Sequence, residues 1–129
     1  MELKVRTTKK YEVLDITRHV ADAVSTAHVT DGLCCVFVPH ATAAVVINEN
    51  DDMQIGFDLL DALDKLVAEG VWRHDKVDSN GAAHLKAALL GPSATTPMHN
   101  GRATLGTWQA VMFVELDGPR ERKVIVSVK

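Results

Sequence analysis

The sequence predicts a mixed α+β domain, mainly an antiparallel β-sandwich with two to three helices packed on it. Strand-like runs outnumber helical ones, one pair of alternating runs opens the chain and another closes it, and the helical periodicity is confined to three segments. No internal repeat or low-complexity stretch interrupts this pattern, and residues 1–129 read as a single domain.

In order, residues 2–7 and 11–16 alternate polar and apolar side chains, and Thr8-Lys9-Lys10 between them predicts a hairpin. Thr17 stands at an N-cap, and Val20, Ala23, Val24 and Ala27 recur at helical spacing until Asp31-Gly32 stops the run, with His19 and His28 on the solvated side. Residues 33–38 are continuously apolar and β-branched, the pattern of a strand buried on both faces, and Pro39 ends it. After a turn at 40–44, Val45-Val46-Ile47 forms a second such strand and runs into Asn48-Glu49-Asn50-Asp51-Asp52. Met53, Phe57, Leu60, Leu63 and Val67 then mark a helical face, with Asp51 or Asp52 as cap and Gly70 as terminator.

Residues 71–77 read as a short extended piece carrying Trp72 and His74, followed by a helix over 82–90 that starts from Ser79 or Asn80 and closes at Gly91-Pro92. Residues 93–98 form a strand kept near a sheet edge by Pro97, and the turns at 99–102 and 105–107 follow. Residues 108–116 and 121–128 alternate, and Asp117-Gly118-Pro119-Arg120 between them is the strongest hairpin signal in the chain.

Composition excludes several classes of function. Hydrophobic residues make up 47% and charged residues 24%, as in soluble globular proteins, and the net charge of -3 lacks the basic excess of a nucleic-acid binder. The first residues lack the apolar core of a signal peptide, and no stretch approaches the roughly 20 apolar residues of a membrane span. The expected location is the cytoplasm. Cys34 and Cys35 are adjacent and cannot staple distant segments, so they read as small buried hydrophobes in a reducing compartment.

Two polar stretches between apolar segments carry the chemistry, Pro39-His40-Ala41-Thr42 and Asp78-Ser79-Asn80-Gly81-Ala82-Ala83-His84. His40, His74 and His84, with Asp78 and Glu49, supply atoms that bind zinc or a harder divalent ion, although no HExxH or CxxC spacing is present. Donors suited to a phosphorylated ligand lie at the helix start after Asn80-Gly81, at Lys86, at Ser93 and at Asn100-Gly101-Arg102. Magnesium held by Glu49, Asp51 or Asp78 would bridge to phosphates, and His40 or His84 would act as acid or base. Gln109 lies among apolar neighbours on a strand face it shares with Val111, Phe113 and Glu115, and either reaches this cluster or bonds backbone. No G-x-S-x-G marks a serine nucleophile.

These residues in this order resemble the YjbQ-like family, also called secondary thiamine-phosphate synthases. The resemblance rests on His40-Ala41-Thr42-Ala43-Ala44 with Asn48-Glu49-Asn50, on His74, on Asp78-x-Asn80-x-x-Ala83-His84-Leu85, and on Leu90-Gly91-Pro92-Ser93. It continues through Pro97, Gly101, Leu105-Gly106-Thr107-Trp108-Gln109 and Glu115 with Asp117-Gly118-Pro119-Arg120, so it spans residues 1–129. Ala41 departs from the pattern, standing where many members carry a hydroxyl, and leaves Thr42 as the hydroxyl of that turn. The resemblance implies a jelly-roll-like sandwich, a homotrimer with the site near the subunit interface, and a weak synthase activity. That activity joins hydroxymethylpyrimidine diphosphate to thiazole phosphate and releases pyrophosphate. Carried over by position, it places His40, Asn48, Glu49, His74, Asp78, Asn80, His84 and Gln109 in the site, and together with the phosphate donors read above it gives catalytic roles to His40, Glu49, Asn80 and His84. Thr42, Asn48, Lys86, Ser93, Arg102 and Gln109 would contact substrate, and His40, His74, Asp78 and His84 would hold magnesium or zinc. The alternatives from the residues themselves are a metal-dependent hydrolase using a histidine-bound water, or a non-enzymatic trimer that binds a metal or small ligand.

Overall fold

The computed structural model describes residues 1–129. The strands are β1 (Glu2–Arg6), β2 (Glu12–Asp15), β3 (Gly32–Phe37), β4 (Ala43–Glu49), β5 (Ser93–His99), β6 (Arg102–Ala103), β7 (Gln109–Glu115) and β8 (Glu121–Val128). The helices are α1 (Thr17–Thr26), α2 (Gln54–Leu66) and α3 (Gly81–Leu90), with a 3-10 turn at Arg73–Lys76. One sheet has the order β1-β8-β3-β5-β6 and the other β2-β7-β4, and every pairing is antiparallel. No helix is long and apolar enough to cross a membrane.

The predicted α+β sandwich is therefore the observed architecture, and two cores explain it. Between the sheets, Val5, Cys34, Val36, Val124 and Val126 of the larger sheet face Ala43, Val45, Val111 and Phe113 of the smaller, with Ile16, Val20, Ala23 and Val24 closing one side. On the other face of the smaller sheet, Ala44, Val114 and Leu116 pack against Leu63, Ala83 and Ala87 of α2 and α3. β7 is the middle strand between these layers, which is why it is buried on both faces.

Both predicted hairpins are absent. β1 pairs with β8 and β2 with β7, so the chain passes from one sheet to the other at residues 7–11 and again at 116–120. The two crossings are hydrogen-bonded to each other: Thr7 N donates to Arg120 O, and Gly118 N donates to Lys10 O. Alternation and turn residues identify a reversal; they do not reveal that a two-stranded ribbon bends over a sandwich corner at that point. A Cβ on Gly118 would lie 2.3 Å from Lys9 O and 2.9 Å from Thr7 Oγ1, so only glycine fits where the crossings touch.

Other expectations need adjustment. β3 is buried on one face only, because nothing in the chain covers the outer face of the larger sheet, and Leu33 is 56% exposed there. Residues 73–76 form a 3-10 turn instead of an extended piece, since the Asp75 carboxylate accepts from Trp72 N at 3.0 Å and Gly81 N at 2.8 Å and draws the segment into a loop. Thr17 lies inside α1; its N–H is capped by Asp15 and its hydroxyl accepts from Val111 N. Asp52 caps α2 as anticipated, and Pro97 lies where β5 nears the sheet edge, its only outer neighbour being two-residue β6. The cysteines are unpaired and Cys34 is fully buried, where desolvation and then the neighbouring Cys35 push its thiol up.

Candidate functional site

The β7–β8 crossing, read in sequence as a simple turn, is the element that gathers the polar residues. At its root Glu115 is 0% exposed and Arg122 4%. Arg122 Nε donates to Glu115 Oε1 at 2.9 Å and Nη2 to Oε2 at 2.5 Å; the Thr7 hydroxyl donates to Oε1 at 2.8 Å. Leu116 N and Asp117 N complete the shell of Oε2 at 3.0 and 3.2 Å. Burial alone would raise the Glu115 carboxyl, but the bonds from Arg122, Thr7 and Asp117 hold it below its ordinary value. Arg122 also donates to Thr42 Oγ1 at 2.9 Å, so Thr42, expected on substrate, is part of this buried lock.

His40 follows from the same geometry. Its Nε2 accepts the Lys123 N–H at 2.9 Å, which puts the ring proton of the neutral form on Nδ1. Burial and then the Arg122 charge depress its pKa below the ordinary value, so the imidazole is neutral at neutral pH.

Asp117 extends the network to α3. Asn80 Nδ2 donates to Asp117 Oδ2 at 3.0 Å, and Arg120 Nη2 donates to the same oxygen at 3.1 Å. A carboxylate only accepts, so the Asn80 amide must turn its NH2 toward Asp117 and its Oδ1 toward His74, 3.0 Å away. In its neutral form His74 therefore carries its proton on Nε2 and keeps a lone pair on Nδ1. His84, one helical turn beyond Asn80, sets its ring edge-on to His74 with centroids 4.6 Å apart. The two rings, with Trp72, Arg73 and Leu85, line an open cleft of about 540 Å³.

The first amide of α3 is already taken by a carboxylate of the chain itself. Asp75 accepts Gly81 N there, and these backbone bonds, first from Trp72 and then from Gly81, hold its carboxyl low. A Cβ on Gly81 would lie 2.8 Å from Asp75 Oδ1 and 2.9 Å from Trp72 Cβ, so glycine is required for the carboxylate to sit at the helix start.

The remaining candidates lie elsewhere. Lys86 is 1% exposed and points away from His84, bonded to Asp64, 3.7 Å from Glu69 and 4.5 Å above the Tyr11 ring. Its ammonium fastens α3 to α2 and is unavailable to a leaving group. Asn48 Oδ1 accepts from Glu49 N, and Gln109 Oε1 accepts from Gly106 N at 2.8 Å, so both side chains serve the backbone locally. Glu49 pairs in register with Gln109 at the far end of β4, six strand residues or about 20 Å from the Ala43–Glu115 end. Arg102, opposite His99, is likewise displaced from the Ser93–Phe37 end of β5 by about 20 Å. Ser93 is exposed beside Phe37 on the outer edge of the larger sheet, and Asp78 is exposed with its N–H bonded to His74 O.

Nine of the predicted residues thus divide into two groups, and Lys86, Ser93 and Asp78 belong to neither. His40, Thr42, His74, Asn80 and His84 share one end of the sandwich, where Asp117 binds Asn80, Arg122 binds Thr42, Glu115 links the two and His40 is held by the Lys123 N–H; Asn48, Glu49, Gln109 and Arg102 occupy the other. The four proposed metal ligands do not converge, and no three His, Cys, Asp or Glu side chains of one chain surround a common point. His40 offers only Nδ1, and His74 with His84 makes half a coordination shell at most. Arg73 and Asp75 carry no signal in the sequence, and Asp117 stands there only as part of the Asp117-Gly118-Pro119-Arg120 turn and of the family resemblance, with no site role.

A helix-backed antiparallel sandwich whose polar site grows from a sheet-crossing corner defines the class of protein. The chain belongs to the YjbQ/UPF0047 family: the model for UPF0047 protein YjbQ-like matches residues 1–129. A UPF0047 protein of Archaeoglobus fulgidus is 47% identical over 128 residues, covering 98% of both chains. UPF0047 protein YugU of Bacillus subtilis is 37% identical over 129 residues, covering 98% of this chain and 96% of that one. Among solved structures, an uncharacterized conserved protein of this family from Clostridium acetobutylicum superimposes with a TM-score of 0.95 at 42% identity, over 100% of this chain and 99% of its own. A hypothetical protein from Aeropyrum pernix K1 gives 0.96 at 40% identity, over 100% and 96%.

Proposed function

We propose that the chain is a transferase of thiamine-phosphate-synthase type with low turnover, working in the cytoplasm as a homotrimer. In the reaction the bond from the pyrimidine methylene carbon to the diphosphate oxygen breaks, its electron pair leaves with pyrophosphate, and the thiazole nitrogen forms the new C–N bond. The observation that carries this reading is the Asn80 hub, which fixes His74 in one tautomer against His84 at the mouth of a cleft. Arg73 at that cleft and Arg120 beside it replace Lys86 and Arg102 as the cations that stabilise the departing charge, and His84 gives a proton to the leaving oxygen. Magnesium enters on the diphosphate oxygens, its preferred hard ligands, as part of the substrate.

The trimer is part of the same proposal. Glu49 and Gln109 lie about 20 Å from the histidine end, and a head-to-tail ring sets one end of each chain against the other end of the next. Exposed Met53, Phe57, Leu66, Leu89 and Trp108 supply apolar surface for such contacts. The unpaired cysteines suit a reducing compartment.

The test mixes both substrates with magnesium and follows pyrophosphate and thiamine phosphate together. Release that requires the thiazole partner and is lost in His84→Ala and His74→Ala supports the synthase. Release indifferent to the thiazole but abolished by chelator supports a second reading that the 4.6 Å histidine contact favours, a hydrolase whose paired imidazoles hold a metal-bound water. No turnover, with metal copurifying at a fixed ratio, makes the protein a binding trimer and refutes both.

A further inference from the structure

Arg102, displaced from the histidine cluster, borders a separate cavity of about 360 Å³ between α1 and the β6 turn. Its floor is aliphatic: Val20 and Val24 of α1, Val111 of β7, and Leu105. Arg102 is the one charged residue of its lining, and no carboxylate lines it. The neighbouring acid, Asp31, is held by His99 at 2.8 Å, and none of the chain's ion pairs includes Arg102. An apolar chamber with one unpaired guanidinium at its rim matches an amphipathic anion, since the body removes apolar surface from water while the fork of N–H donors takes a carboxylate.

We infer that this cavity is a binding site for a medium-chain aliphatic monocarboxylate, with the chain over Val20, Val24 and Leu105 and the carboxylate on Arg102. The lining has no aromatic side chain, which favours an aliphatic over a ring-bearing ligand. At interior packing density the volume takes roughly 10 to 15 non-hydrogen atoms, the size of octanoate. Within one chain the site lies at the end of the sandwich remote from His74 and His84, and its ligand is no reactant of the proposed synthase, so a binding titration tests it separately from turnover.

The experiment titrates octanoate, octanamide and inorganic phosphate into the full chain, followed by calorimetry and by amide shifts. Octanoate should saturate with Kd near or below about 1 mM, with shifts at Val20, Val24 and Leu105, and octanamide should bind about tenfold to a hundredfold more weakly. Arg102→Gln, a surface change, should weaken octanoate to the level of octanamide, and Ala21→Leu should block both by filling the mouth. Three results would each overturn the assignment: no saturation by octanoate, binding that survives both substitutions, or phosphate binding as tightly as octanoate.

Discussion

Removing Glu115 is the most informative single perturbation, because Glu115 is the point through which the two sheets and the candidate site are tied. Glu115→Met leaves the Arg122 guanidinium 4% exposed with only Thr42 as partner and takes the acceptor from Asp117 N. Breaking a buried ion pair from one side costs about 3–5 kcal/mol, a large part of the about 5–15 kcal/mol that holds a domain folded. For a chain of this length the entropy of unfolding is roughly 0.27 kcal/mol/K, so the melting temperature should fall by about 10–20 °C. Arg122→Met should cost a similar amount by stranding the carboxylate. The double variant should cost at least about 2 kcal/mol less than the sum of the two, because two apolar side chains leave no charge unpaired. Urea and thermal melts of the four proteins measure this directly. Single variants that each lose under about 1 kcal/mol and simply add in the double would refute the account of Glu115 and Arg122 as a buried, mutually dependent pair.

The pH dependence should come in two stages. His40 is held below its ordinary 6.5 in the folded chain, so the unfolded chain takes up that proton first; stability is full above 6.5 and falls as pH drops toward the folded value. Glu115 is held below its ordinary 4.5, so its contribution is complete above 4.5 and is lost as pH falls toward its own folded value. Urea midpoints against pH should show both stages, and His40→Gln, which keeps an acceptor for Lys123 N–H, should remove only the upper one. Lys86→Met should cost about 1–3 kcal/mol by leaving Asp64, Glu69 and Tyr11 without their cation, yet leave pyrophosphate release unchanged; a loss of turnover at unchanged stability would return Lys86 to the site. Gly118→Ala should destabilise by about 3 kcal/mol or more, since the added methyl meets backbone oxygen that cannot move aside; a melt within about 1 kcal/mol of the parent would show that the crossings yield.

How much of this was legible depended on whether the signal was local. The helical faces of α1 and α3, the Asp52 cap and the strand character of β4, β5, β7 and β8 follow from spacing and side-chain type within a few residues. His74, Asn80 and His84 were legible as chemistry because polar groups stood where folding alone did not demand them. That Asp117 joins Asn80, that Arg122 locks Thr42, and that Lys86 turns away toward Asp64 involve partners tens of residues apart, and no local pattern encodes them.

The same division explains the hairpins. Alternation at 2–7, 11–16, 108–116 and 121–128 determined that these segments are strands and that the chain reverses between them, because the period of two and the turn residues act over short range. The tertiary structure alone decided which strand pairs with which. Burying apolar side chains on both faces of β7 requires one sheet in front and helices behind, and that demand sends β8 into the opposite sheet. The crossing it creates is where Glu115, Asp117 and Arg122 meet the histidines.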